Sequence, residues 1–187
     1  MKKKKNKSIL KKGFIFLVLF LLYFLFIYII LNYSFLYNYI NYFFGVASNF
    51  VINHIFYISS VFRLDVISQA SIITISSLNY PVIINSLCTG ILEFSLLVSA
   101  ILATTIISWR KRLIWVLISL GVVIVFNIIR ISFTTFLITR LNIETASFFH
   151  GFLFRFFMII IIVGVYYLFL RRTQQKKWVN LAFKECF

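Results

Sequence analysis

Long apolar runs, separated by short basic clusters, set the rhythm of this chain. The first run covers residues 14–31, and three more fill most of the second half. At about 1.5 Å per helical residue, each run is long enough to cross about 30 Å of hydrocarbon. The pattern predicts transmembrane helices at residues 13–31, 88–109, 113–135 and 147–170. Two intervals between the first and second runs break the pattern. Residues 33–62 are nearly uncharged, yet Ser34, Asn38, Asn41, Gly45, Asn49 and Asn53 fall near one helical face. That spacing predicts an amphipathic helix, lying on the outer surface or packed against the bundle. Residues 70–77 and 82–87 are short, β-branched stretches around Asn79, Tyr80 and Pro81. They predict a small extracytoplasmic hairpin. The expected fold class is an all-α membrane protein. It is a bundle of about four transmembrane helices with an extra amphipathic helix and a small hairpin, forming one integral membrane domain over residues 1–187.

Composition agrees with that class. Hydrophobic residues make up 62% of the chain and charged residues only 12%, against about a quarter charged in an average soluble domain. A formal net charge of +15 would suit a nucleic-acid binder, but its placement points elsewhere. Basic clusters lie in residues 1–12, at Arg110, Lys111 and Arg112, and in residues 171–187. They hold 15 of the 19 Lys and Arg residues. Such clusters mark cytoplasmic flanks. Both terminal tails are therefore expected in the cytoplasm of a cell with the chain in its cytoplasmic membrane. The first apolar run is too long for a signal-peptide core and no small-residue cleavage pattern follows it, so it reads as an uncleaved anchor. The two cysteines, Cys88 and Cys186, fall on opposite sides of the membrane in this topology, which argues against a disulfide.

Counting helical residues up from the cytoplasmic anchors gives heights. Cys88 stands about 33 Å up, His150 about 32 Å and Arg130 about 27 Å. Three spans thus deliver Cys88, Arg130 and His150 to nearly one level at the outer face. Each alone has an ordinary reading. A cysteine in a membrane helix is a small packing residue. An arginine near the interface snorkels, and an interfacial histidine can be satisfied by its neighbours. Together they match a cysteine nucleophile site, because ionisable groups at such depth are costly and mark function. A thiol needs help to ionise at neutral pH, from a cation, a histidine or a helix N-terminus. Cys88 is expected at the start of its helix. His150 suits proton transfer to and from the thiol. Arg130 keeps its proton and suits a thiolate or oxyanion contact. His54 has no such companions and reads as structural.

The segment Asn85-Ser86-Leu87-Cys88-Thr89-Gly90-Ile91 resembles the Cys-Ser/Thr-Gly segment of exosortases and archaeosortases. Asn127-Ile128-Ile129-Arg130 resembles their Asn-x-x-Arg segment, and His150 follows a short outer segment as the family's histidine does. The resemblance covers about residues 66–170, and the chain is short for the family. It implies a membrane-embedded cysteine protease or transpeptidase with Cys88 as nucleophile and Arg130 and His150 completing the triad. Some archaeal members place an arginine third, which leaves Arg155 as the alternative to His150. The implied partners are secreted proteins ending in a short motif, a transmembrane helix and a basic tail, together with membrane lipid. No nucleic acid, cofactor or metal is expected.

Three residues are expected in support: Glu93, Asn127 and Arg155. Glu93 lies five residues below Cys88, and Arg155 five below His150. Their similar heights favour an ion pair that holds the second and fourth spans in register. Glu93 paired with Arg130, or Arg155 within the site itself, are the other arrangements. Two further classes of function remain open on the residues alone. One is a non-enzymatic membrane scaffold or assembly factor; the other is a small transporter subunit with a polar path through Glu93, Arg130 and Arg155. Polar groups concentrated in the outer halves of the spans favour a surface site over a through-path.

Overall fold

A computed structural model describes residues 2–65, 70–76, 81–84, 86–141 and 143–184. Helix α1 (Lys2–Leu31) packs along α4 (Ile91–Ala103). Helix α2 (Ser34–His54) packs on α5 (Trp109–Arg140). A one-turn helix, α3 (Ser86–Thr89), precedes α4. After α5 come the short α6 (Ile143–Phe148), a π-helical turn (Phe149–Leu153) and α7 (Phe154–Lys184). The chain is an all-α membrane protein carrying a small sheet.

Among the described residues, three helical stretches are long and apolar enough to cross a membrane: Lys11–Leu31, Trp109–Arg140 and Glu144–Thr173. Their outer faces expose large apolar side chains, among them Phe26, Leu117, Ile129, Ile159 and Val163. Water would penalise such faces, whereas lipid tails do not. The helix expected over residues 88–109 is interrupted at both ends, leaving 13 residues in α4. Gly90 breaks it at φ 71°, in the left-handed region that a helix cannot continue through. At the far end Arg112 donates to the Leu102 carbonyl (Nη1–O 2.6 Å) and lies over the Trp109 ring. A cation thereby meets one of the carbonyls that a helix C-terminus leaves unpaired. Helix α7 continues through the basic segment expected as a tail.

Helix α2 is amphipathic as its spacing predicts, with the polar side turned inward. Asn41 and Ser48 are fully buried, whereas Tyr39, Phe43 and Phe50 on the other side are exposed. The inward side receives the sheet. Gly45 has no side chain because a Cβ there would overlap the Phe62 ring. Asn53 grips one residue of the sheet twice: its Oδ1 accepts from the Ser60 N–H (2.8 Å) and its Nδ2 donates to the Ser60 carbonyl (3.0 Å). The Ser60 hydroxyl also donates to Asn49 Oδ1 at 2.8 Å. Asparagine side chains thus supply the hydrogen bonds that a further strand would have made. His54 Nδ1 donates to the Phe50 carbonyl (3.0 Å), and its ring stacks on the Phe50 ring.

Among the described residues the sheet has three antiparallel strands in the order β1 (Ser60–Asp65), β2 (Ala70–Ile75), β3 (Val82–Ile84). Ser60 faces Ile75, and Ile73 faces Val82. The β2–β3 pair is the expected hairpin; Asn79 and Tyr80 of its turn lie outside the described residues, as do Asn85 and Cys186. Strand β1 is an addition that the sequence did not announce. Ile73, Ile75 and Ile84 of the sheet join Phe44 and Ile52 of α2 and Ile131 of α5 in one core, with Cys88 at its margin. A second core, deeper along the bundle, joins Leu97 and Ile101 of α4, Val123 of α5 and Met158, Val165 and Phe169 of α7.

Candidate active site

Three separate elements bring Cys88, Arg130 and His150 together. Cys88 lies on α3, Arg130 on α5 and His150 on the π-helical turn. The Cys88 sulfur is 3.7 Å from His150 Nε2. The Arg130 side chain hydrogen-bonds to the same sulfur. Arg130 is only 1% exposed, so its charge acts with little screening by water. Cys88 and His150 are half-buried. The sequence led us to expect Cys88 at the start of a continuous helix, and the structure corrects this. It sits in the one-turn α3, with Gly90 separating it from α4.

The helix face that carries Arg130 explains much of the geometry. Val123, Asn127, Arg130 and Thr134 are all buried on α5, at the spacing of one helical face. Asn127 donates to the Val123 carbonyl (Nδ2–O 2.8 Å). Its side chain fills the space beside Gly90 that any Cβ would enter. The two motif segments therefore interlock: one residue keeps a space open and the other occupies it. Asn127 acts as a spacer that sets the distance between α5 and the turn bearing Cys88.

Thr134 is the residue that sequence reasoning missed. Its hydroxyl donates to the Arg130 carbonyl (2.7 Å) and lies 3.3 Å from His150 Nδ1. The available signal was its position, four residues after Arg130 on the same face. Threonine so placed in a helix usually bonds only its own backbone, so the sequence alone does not distinguish it.

Among the described residues, Glu93 and Arg155 do not form the ion pair, within 4.0 Å, that their counted heights favoured. Both act electrostatically on Arg130. Arg155 is exposed and Glu93 half-buried. The π-helical turn accounts for the difference. It widens the spiral at His150, so residues beyond it no longer follow the 3.6-residue count used for the heights. Of the two candidates for the third position, His150 faces the sulfur.

An apolar cavity of about 190 Å³ opens over this cluster. Val82, Ile83 and Ile84 of β3, Ile131 and Ile138 of α5, and Ala146 of α6 line it beside Cys88, Thr134 and His150. Consecutive strand residues point to opposite faces. All three lining one cavity means that the edge of β3 borders it.

Fold and site together define a membrane protein in which a histidine and a buried arginine both meet one cysteine sulfur. The model of the transmembrane exosortase family matches residues 9–167, and the chain belongs to that family. Membership gives it the family's general role, a membrane transpeptidase of protein sorting. No curated protein matches the chain, and no solved structure matches it either.

Proposed function

We propose that this protein is a membrane-embedded cysteine protease or transpeptidase that cuts C-terminal sorting signals from secreted proteins at the outer face of the cytoplasmic membrane. Cys88 is the nucleophile, His150 its proton acceptor and donor, and Arg130 the cation that steadies negative charge on sulfur or on the attacked carbonyl oxygen. The single observation that carries the reading is the convergence of His150 Nε2, at 3.7 Å, and the Arg130 guanidinium on one sulfur.

The chemistry follows from that arrangement. His150 takes the thiol proton, and the thiolate attacks the scissile carbonyl carbon. The tetrahedral oxyanion forms beside Arg130. Its collapse breaks the C–N bond, His150 returns the proton to the departing amine, and a thioester remains on Cys88. Water, or an amine on a lipid or glycan precursor, then attacks the thioester and frees the sulfur. The cavity bordered by β3 is where the segment to be cut lies, and its apolar lining suits small or aliphatic residues there. The basic clusters support cytoplasmic termini and an extracytoplasmic site.

Co-expression with a secreted reporter tests the reading. The reporter carries a C-terminal transmembrane helix and basic tail from a candidate substrate. Wild-type protein should shorten the reporter and Cys88→Ala should not. Equal processing by both would remove Cys88 from the reaction.

A further inference from the structure

We infer that Thr134 is a positioning residue that fixes the tautomer of His150, so that the lone pair of Nε2 faces the Cys88 thiol. The inference rests on the reading of Cys88 as nucleophile and His150 as its base, and it adds the group that makes the base competent.

A hydroxyl has one hydrogen to donate. Thr134 sits 2.7 Å from the Arg130 carbonyl oxygen, which can only accept. The hydroxyl proton is therefore spent on that bond. Toward His150 Nδ1, 3.3 Å away, Thr134 can offer only a lone pair. A hydrogen bond there requires the proton on Nδ1. In neutral imidazole the other nitrogen is then bare. That nitrogen, Nε2, is the one 3.7 Å from the Cys88 sulfur. The opposite tautomer would place N–H against S–H and leave the thiol proton nowhere to go. After proton transfer the ring carries hydrogen on both nitrogens, and the Thr134 contact persists unchanged. The imidazole accepts the proton without turning.

In many histidine sites a carboxylate or a backbone carbonyl sets the tautomer. A neutral hydroxyl does the same work here without placing a second negative charge beside the thiolate. The chain from the Arg130 carbonyl through Thr134 and His150 to Cys88 also ties both partners of the sulfur to one turn of α5. Arg130 and Thr134 move together, so the cation and the base keep their relative positions.

The test needs no substrate. Purified protein in detergent, with its other cysteine replaced by Cys186→Ser, is alkylated with iodoacetamide at neutral pH, and the rate at Cys88 is measured. His150→Ala should slow the reaction, which establishes that the histidine activates the thiol. Thr134→Val keeps the shape and removes the hydroxyl, and should slow alkylation about tenfold. Thr134→Ser restores the hydroxyl and should react close to wild type. A wild-type rate in Thr134→Val overturns the inference, as does a Thr134→Ser rate as low as that of Thr134→Val. If His150→Ala itself leaves the rate unchanged, the histidine's role as base fails instead. A second measurement avoids any variant at Thr134. In Cys88→Ala, His54→Gln protein labelled with ¹⁵N-histidine, the nitrogen spectrum at pH 9 should show hydrogen on Nδ1 and none on Nε2. Hydrogen on Nε2 would end the proposal even if the valine variant does not fold.

Discussion

The Asn127 side chain fills the space that a Cβ on Gly90 would enter. Gly90 also stands at φ 71°, where a side chain costs about 1–2 kcal/mol. Gly90→Ala therefore meets two penalties, steric and conformational, and should lower stability by about 2–4 kcal/mol. Shrinking Asn127 removes only the first. The double variant Gly90→Ala, Asn127→Ala should recover part of the loss, measured as the temperature at which the detergent-solubilised protein unfolds. Strictly additive losses would mean that the two residues do not share this space.

Arg130 makes a different prediction. A guanidinium can direct parallel N–H groups at sulfur and at an oxyanion, whereas an ammonium is a single point charge. Arg130→Lys should reach the membrane in normal amount and lose at least about nine-tenths of reporter processing, on the scale of a lost oxyanion donor. Near wild-type processing would show that any positive charge suffices.

Glu93 should couple to Arg130 and not to Arg155. It acts on Arg130 electrostatically, with no ion pair to Arg155 among the described residues. Folded-protein yields of Glu93→Gln, Arg130→Gln and the double variant should show coupling of about 1 kcal/mol. The same cycle with Arg155→Gln should be additive. The reverse result would restore the pairing that helical heights alone suggested.

The sidedness of the site can be read chemically. A membrane-impermeant maleimide on intact cells should label Cys88 and spare Cys186, with both labelled once the membrane is opened. Labelling of Cys186 alone on intact cells would invert the topology.

Much of the architecture was legible because the bilayer imposes it. Apolar runs of sufficient length become helices. The asparagine spacing of α2 showed a helix with a polar side, although not that this side would face the protein. The parts that were not legible depend on local backbone departures. Nothing in Ser-Val-Phe-Arg-Leu-Asp marks β1 as a strand; its partner β2 and the asparagines of α2 make it one. Gly90 is a single residue within an apolar run, and its left-handed conformation only matters because Asn127 lies opposite. The π-helical turn leaves no mark in the sequence, yet it changes the residue count per turn just before Arg155. Cys88, Arg130 and His150 could be grouped because heights along three helices survive such departures better than directions around them do. Thr134 could not be found that way, since its role is set by an angle and a proton.

Helix α2 also carries a mark of depth. Tyr39 and Tyr42 on its outward side and Tyr33 and Tyr57 at its two ends are all exposed. Tyrosine rings settle where hydrocarbon meets water, with the hydroxyl among the headgroups. The same helix touches α3 and all three strands, so it cannot rise or sink without taking Cys88 with it. On the proposed function, the lipid surface itself would serve as the ruler from which the cut is measured. A substrate would be recognised as much by how far its scissile bond stands above its own membrane helix as by the residues around that bond.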